Sequence, residues 1–109
     1  MPHPSFDSRR REDPNFFMAD DKKPGDFRWV ENFRGNSLEL WVLVPDRNAA
    51  AGETCLGACI VRSAPGARSP IWTWDGNKDR PTLSPSIKIE GANGEAWHGF
   101  LRNGRFEGV

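Results

Sequence analysis

Two cysteines four residues apart are the first residues of this sequence with types and spacing suited to chemistry. Cys55 and Cys59 lie near a glycine turn, and their thiolates would suit a Zn²⁺ ion, which needs two further ligands. His98 is a candidate third ligand and Glu95 a fourth. Residues three apart in a strand point to opposite faces, so this pair converges only if Glu95 lies in a turn or a bulge intervenes. We expect no cofactor and two buried free thiols, with bound Zn²⁺ or a disulfide as alternatives.

Nucleophilic catalysis has one weak candidate set. Ser84 and Ser86 flank Pro85, and His98 can approach them across a sheet. The sequence has no Gly-x-Ser-x-Gly elbow, however, and it places no acid to orient the histidine. We therefore predict that the two serines make local turn hydrogen bonds, and we assign no catalytic residues.

The elements that must position these side chains are short strands separated by turns. Apolar residues alternate with other residues over 38–44 and again over 86–90, a pattern that predicts strands with one face in the core. Near the end of the chain, Asn103-Gly104 separates two apolar segments, which indicates a hairpin with a two-residue type I′ turn.

No stretch shows sustained helical periodicity, and no internal repeat is visible. The sequence therefore predicts an all-β fold, a small antiparallel sandwich or partly open barrel of roughly seven short strands. Residues 26–109 are interpreted as a single β domain. Residues 1–25, which are polar and punctuated by prolines, are interpreted as a flexible arm.

Composition excludes some classes of function. The 109 residues carry 15 Lys plus Arg and 15 Asp plus Glu, so no basic excess favours nucleic acid as a partner. No apolar run is long enough to span a membrane, and the first residues lack the apolar segment of a signal peptide. We therefore expect a cytoplasmic protein that does not bind membranes.

Large aromatic side chains offer candidate contacts for a protein partner. Trp29 and Trp41 fall opposite or beside the main core faces of their strands, although packing in the core is favoured for each. Phe16 and Phe17 are apolar residues of the arm that can anchor it to the domain or to a partner. The basic triplet Arg9, Arg10 and Arg11 is interpreted as a solvated charge cluster, with a phosphate contact as the alternative. A homodimer formed through a sheet edge stays open.

Three spaced motifs carry a family resemblance. They are Trp72-Thr73-Trp74-Asp75-Gly76-Asn77, Arg80-Pro81-Thr82-Leu83-Ser84-Pro85-Ser86-Ile87 and Trp97-His98-Gly99-Phe100-Leu101-Arg102-Asn103-Gly104. In this combination the chain, from roughly Thr54 to Phe106, resembles the small proteins of phages and mobile elements grouped as domain of unknown function 6527.

The resemblance implies a metal site. Members of that family carry a cysteine cluster, matched here by Cys55 and Cys59, and a Cys-Gly-Trp-His-Gly block in which His98 matches the histidine. This chain departs from the family pattern at Glu95-Ala96, where the family has Cys-Gly. One expected thiolate is thus replaced by a carboxylate, or the metal has been lost.

The sequence favours a binding role over an enzymatic one. Our first hypothesis is a non-enzymatic β module of a phage or mobile element that binds a host or phage protein, in the bacterial host cytoplasm if phage-encoded. The alternative is a small zinc protein, structural or hydrolytic, that uses Cys55, Cys59 and His98. A second alternative is nucleic-acid binding through the N-terminal arm.

Overall fold

The computed structural model describes residues 2–31, 37–63 and 72–109, and within these ranges the chain forms two β-sheets. The prediction of an all-β fold is confirmed, and the sheets do not close into a barrel. The strands are β1 (Phe6–Asp7), β2 (Arg9–Arg10), β3 (Asp26–Glu31), β4 (Leu38–Pro45), β5 (Thr54–Arg62), β6 (Thr73–Trp74), β7 (Leu83–Gly91), β8 (Gly94–Arg102) and β9 (Arg105–Gly108). A short 3₁₀ helix spans Phe16–Met18.

The first sheet has five strands in the order β1-β9-β8-β7-β6, and all its pairs are antiparallel. The second has four strands in the order β2-β3-β4-β5, with a parallel pair between β2 and β3. In both sheets most neighbouring strands are also consecutive in the chain, as is usual for strands joined by short connections. The first sheet holds the serines and His98, and the second holds both cysteines.

The core lies between the two sheets. On β4, the predicted inward residues at positions 38, 40, 42 and 44 are all buried, which confirms the interpretation of the alternating pattern. They share the core with Ile87 and Ile89 of β7. Gly57 lies within β5 and not in a turn, and a methyl group there would overlap the Ile89 side chain. A residue without a side chain therefore leaves room for Ile89 where the sheets approach each other.

The hairpin between β8 and β9 confirms the turn prediction. Arg102 pairs with Arg105 around the turn, and Asn103 and Gly104 both have positive φ angles, 48° and 74°. Positive φ at both central residues is what a type I′ turn requires, and Asn-Gly adopts it at the least cost.

The N-terminal segment lies against the domain and does not extend from it as a separate arm. β1 pairs with β9, and β2 pairs with β3, so the segment adds a strand to each sheet. Asp26 is fully buried and accepts hydrogen bonds from Arg9 Nε and Nη2, both at 2.7 Å, and from Arg11 Nη1 at 3.0 Å. The charged residues that suggested a solvated arm thus pair with a buried carboxylate in this structure.

No helix in the described part of the chain is long and apolar enough to cross a membrane.

Candidate active site

The pairing of β7 with β8 brings a serine hydroxyl to a histidine. Lys88 pairs with His98 and Ile87 with Gly99, so His98 lies beside the segment that carries Ser86. Ser86 Oγ is 3.2 Å from His98 Nε2, within hydrogen-bonding distance. His98 is about one-third exposed and Ser86 is partly exposed, so the pair is accessible from solvent.

An irregularity in β7 positions Ser86. Leu83 pairs with Leu101 and Ile87 with Gly99, which leaves three residues on β7 opposite a single residue on β8. Because the excess is two residues, this bulge shifts β7 along β8 and leaves Ser86 on the outward face, the same face as His98. The indole Nε1 of Trp72 donates a hydrogen bond to the Ser86 carbonyl at 3.2 Å, which holds the backbone of the serine in place.

A second irregularity, near the start of β8, turns Glu95 toward His98. Ile89 pairs with Trp97, but the next pair joins Glu90 to Glu95, so β8 carries one extra residue. Glu95 and His98, three residues apart, converge only if a turn or a bulge intervenes, and this bulge meets that condition. Glu95 Oε1 is 4.0 Å from His98 Nδ1, the ring nitrogen that faces away from Ser86.

The residues on either side of His98 fix its direction. Trp97 is fully buried, and its ring folds over Gly99, where any side chain would clash with the ring and with the Glu107 carbonyl. Because neighbouring strand residues point to opposite faces, burial of Trp97 directs His98 outward. The backbone NH of Val109 donates to the His98 carbonyl at 3.0 Å, on the side of β8 that faces β9.

The carboxylate of Glu95 has its own partners. Its Oε2 is 3.1 Å from Nε2 of His3. The backbone carbonyl of Glu95 accepts a separate hydrogen bond from Asn48 Nδ2 at 2.9 Å. The hydrogen bond from His3 is the main cause that lowers the pKa of Glu95, and the positive potential of His98 adds to it. Glu95 is therefore ionised at neutral pH.

The surface around the pair is mixed in character. Ser84 and Pro85 are exposed on β7, and Phe100 is partly exposed two residues beyond His98. The Arg102 guanidinium carbon lies 4.3 Å from the centre of the Phe100 ring. This cation–π contact places a cation over the ring of Phe100, which lies two positions after His98 on β8.

The cysteines do not join this site. Both thiols are free, and no group of three or more His, Cys, Asp or Glu side chains in the described residues is arranged to hold a metal ion. Cys59 is fully buried in the core, where burial raises the pKa of its thiol to about 12. Cys55 is partly buried, and burial likewise raises its pKa. Of the four predicted ligands, the structure brings together only Glu95 and His98.

The aromatic residues proposed as partner contacts are mostly occupied. Trp29 is only 9% exposed and packs on Trp74, with ring centres 4.6 Å apart, and Phe16 is fully buried. Phe17 packs edge-on against Phe16. Trp41 is partly exposed, and therefore more accessible than Trp29. Its Nε1 lies 3.4 Å from a Glu39 carboxylate oxygen. Trp29 and Phe16 therefore stabilise the domain and present little surface to a partner.

The arginine triplet also has partners within the chain. Arg9 and Arg11 bond to Asp26, as described above, and Arg11 also pairs with Asp13 at 2.9 Å. Arg10 Nη1 donates to Asp79 at 2.9 Å. Each guanidinium that was considered for phosphate binding thus already contacts a carboxylate.

A serine hydroxyl bonded to one nitrogen of an imidazole, with a carboxylate facing the other nitrogen, is the arrangement of a serine hydrolase. The comparison with protein families agrees with this class. A family model described as "Bacterial ubiquitination-like system serine protease (BubE)" matches residues 36–109, which is more than half of the chain. The chain belongs to the BubE family. No curated protein and no solved structure gives a significant match.

The family match overturns two predictions. The matching family is BubE and not the phage and mobile-element family grouped as domain of unknown function 6527. The hypothesis of a non-enzymatic phage module is also wrong, because the family is one of serine proteases. The error arose because the sequence shows no nucleophile elbow, and the two bulges that assemble the site are features of strand register.

The assignment of Ser84 and Ser86 to local turn hydrogen bonds missed the contact between Ser86 and His98. The signals were present in the sequence. Pro85 interrupts the alternation of β7 before Ser86, and Glu95 lies directly after a glycine turn and three residues before His98. Taken separately, the segment around Pro85 indicates a turn, and Glu95 with His98 indicates a pair of metal ligands.

Proposed function

We propose that this chain is a serine peptidase of a bacterial ubiquitination-like system, with Ser86 as nucleophile, His98 as general base and Glu95 as the orienting carboxylate. The observation that carries the proposal is the 3.2 Å contact between Ser86 Oγ and His98 Nε2, which falls within the matched residues. The description of the family supports both the type of reaction and the kind of system.

In the acylation step, Ser86 Oγ attacks the carbonyl carbon of the scissile amide while His98 Nε2 takes the hydroxyl proton. The new bond between Oγ and carbon gives a tetrahedral intermediate. When the bond between carbon and nitrogen breaks, His98 returns the proton to the leaving amine. The acyl group stays on Ser86 as an ester.

In the deacylation step, a water molecule attacks the ester carbon and His98 takes one of its protons. The ester bond then breaks, and the proton passes from Nε2 to the serine oxygen. The products are a carboxylic acid and the free hydroxyl, so the site returns to its starting state. The partial exposure of Ser86 and His98 gives water a route to the ester.

Glu95 favours this chemistry by its charge and position. A carboxylate beside Nδ1 keeps the proton on that nitrogen, leaves Nε2 free to accept, and stabilises the imidazolium that forms. The 4.0 Å separation is longer than a hydrogen bond, so the carboxylate acts on the ring through its charge. The lowered pKa of Glu95 keeps the charge in place at neutral pH.

Labelling with a fluorophosphonate tests the proposal without knowledge of the natural substrate. Ser86 Oγ would form a bond to phosphorus and expel fluoride, while His98 takes the hydroxyl proton. We expect the intact protein to gain one label, located on Ser86 by peptide mass spectrometry, and Ser86→Ala to gain none.

Ser84→Ala is the matched control. Ser84 is exposed on the same strand, two residues away, and pairs with Thr73 of β6. We expect this variant to be labelled at the wild-type rate. A wild-type protein that gains no label, or a Ser86→Ala variant that keeps it, would count against Ser86 as the nucleophile.

A further inference from the structure

The acid of the proposed site is held by a residue from the far end of the chain. His3 Nε2 lies 3.1 Å from Glu95 Oε2, although the two residues are 92 positions apart. His3 is only 7% exposed. It also lies outside residues 36–109, so the family match does not include it.

Backbone contacts fix the position of His3. Its NH donates to the Val109 carbonyl at 3.0 Å, and the NH of Val109 in turn donates to the His98 carbonyl at 3.0 Å. The buried indole of Trp97 donates to the Pro4 carbonyl at 2.8 Å. The N-terminal segment is thus attached to the same residues of β8 that carry the base.

The ring of His3 has a restricted choice of hydrogen bonds. Nε2 faces both Glu95 and Arg47, whose Nη1 lies 2.9 Å away, and Nδ1 is buried with no partner in the described part of the chain. With a proton on Nε2 the ring donates to Glu95, and without it the ring accepts from Arg47. Only the first state restrains the carboxylate.

We propose that His3 is a positioning residue of this site, whose Nε2–H holds one oxygen of Glu95 so that the other faces His98. This inference rests on the proposed function. His3 is 3.1 Å from Oε2, while Oε1 is the oxygen nearest His98, so the two histidines contact different oxygens of one carboxylate. Losing the first contact frees the side chain to rotate away from the second.

Two substitutions of similar size separate this role from packing. His3→Leu fills the buried space but has no donor, whereas His3→Gln places an amide NH₂ near the position of Nε2 and an oxygen that can accept from Arg47. The readouts are the maximal rate of fluorophosphonate labelling of Ser86, the reagent concentration at half that rate, and the melting temperature.

We expect His3→Leu to lower the maximal labelling rate about 10- to 100-fold with the half-saturating concentration unchanged, because the general base is misaligned. His3→Gln should restore most of the rate. Ser5→Ala, which removes the acceptor of the Gly108 NH in the same segment, should label like the wild type.

A His3→Leu variant that labels at the wild-type rate would overturn the inference. So would equal losses in the Leu and Gln variants, since these would indicate packing alone. If the wild-type protein is not labelled at Ser86, the proposed function fails and the inference with it. The unsubstituted protein therefore distinguishes the two failures before any His3 variant is measured.

Discussion

The molecule has two regions with candidate nucleophiles, and they differ in their access to water and to a base. In the second sheet, the Cys59 thiol is fully buried, and its pKa is raised to about 12. In the first sheet, Ser86 carries an intrinsically weaker nucleophile, but its hydroxyl is partly exposed and lies 3.2 Å from His98. Environment thus outweighs intrinsic reactivity, because a group must be accessible and activated before it can react.

Bulges account for much of this difference. β5 pairs without interruption from Thr54 to Ile60 against β4, so its alternate side chains follow the regular pleat and Cys59 points into the core. β7 and β8 shift register at two places, and the shift in β8 places Glu95 on the same side of the strand as His98. A regular strand builds core, whereas an irregular one can redirect side chains into a site.

The largest effect is expected at the base. His98→Ala removes the proton acceptor, and we expect the labelling rate of Ser86 to fall about 10⁴-fold or more. Residues that act as a unit are not additive, so the Ser86→Ala and His98→Ala double variant should lose no more activity toward an activated ester than either single variant. Losses that multiply in the double variant would show that the two residues act independently.

The next effect concerns the thiol of the other sheet. The raised pKa of Cys59 keeps its thiol protonated at neutral pH, and burial also blocks access to it. We expect iodoacetamide to alkylate Cys59 only when the protein is unfolded, as measured by peptide mass spectrometry. Cys55, which is partly buried, is the internal control and should react faster in the native protein. Rapid modification of native Cys59 would remove the contrast between the two regions.

A smaller effect is expected at the carboxylate. Glu95→Gln keeps the shape but removes the charge, and we expect the labelling rate to fall about 10- to 100-fold. This is less than the roughly 10⁴-fold cost of a well-bonded triad acid, because Glu95 is 4.0 Å from the ring. Glu90→Gln is the matched control, since Glu90 pairs with Glu95 across the strands but is exposed and bonded to Lys88. Equal losses in the two variants would indicate a general charge effect.

The same carboxylate gives a pH dependence of stability. The pKa of Glu95 is lowered in the folded protein, so its contribution is present above the ordinary pKa of a glutamate and is lost as the pH falls through the folded value. We expect the urea midpoint of the wild-type protein to decline over this acidic range more steeply than that of Glu95→Gln. Parallel curves would show that the bond to His3 adds no stability.

Much of the fold was predictable from local patterns. The alternation over 38–44 predicted strand β4 because burial of one face imposes a period of two. Asn103-Gly104 predicted the hairpin between β8 and β9 because few residue pairs accept two positive φ angles. The N-terminal segment illustrates the limit of such patterns. Its charges pair with a buried Asp26, a residue that the sequence presents as an ordinary polar position.

The sequence by itself determined the all-β class, the inward faces of the main strands and the set of residues whose side chains can take part in a reaction. Only the tertiary structure decided which of those residues meet. Ser86 reaches His98 through a bulge in β7, Glu95 faces it through a bulge in β8, and His3 contacts Glu95 across 92 positions. The physical reason is that register depends on contacts between strands rather than on local composition, and in β8 a shift of one residue is enough to reverse the face of a side chain.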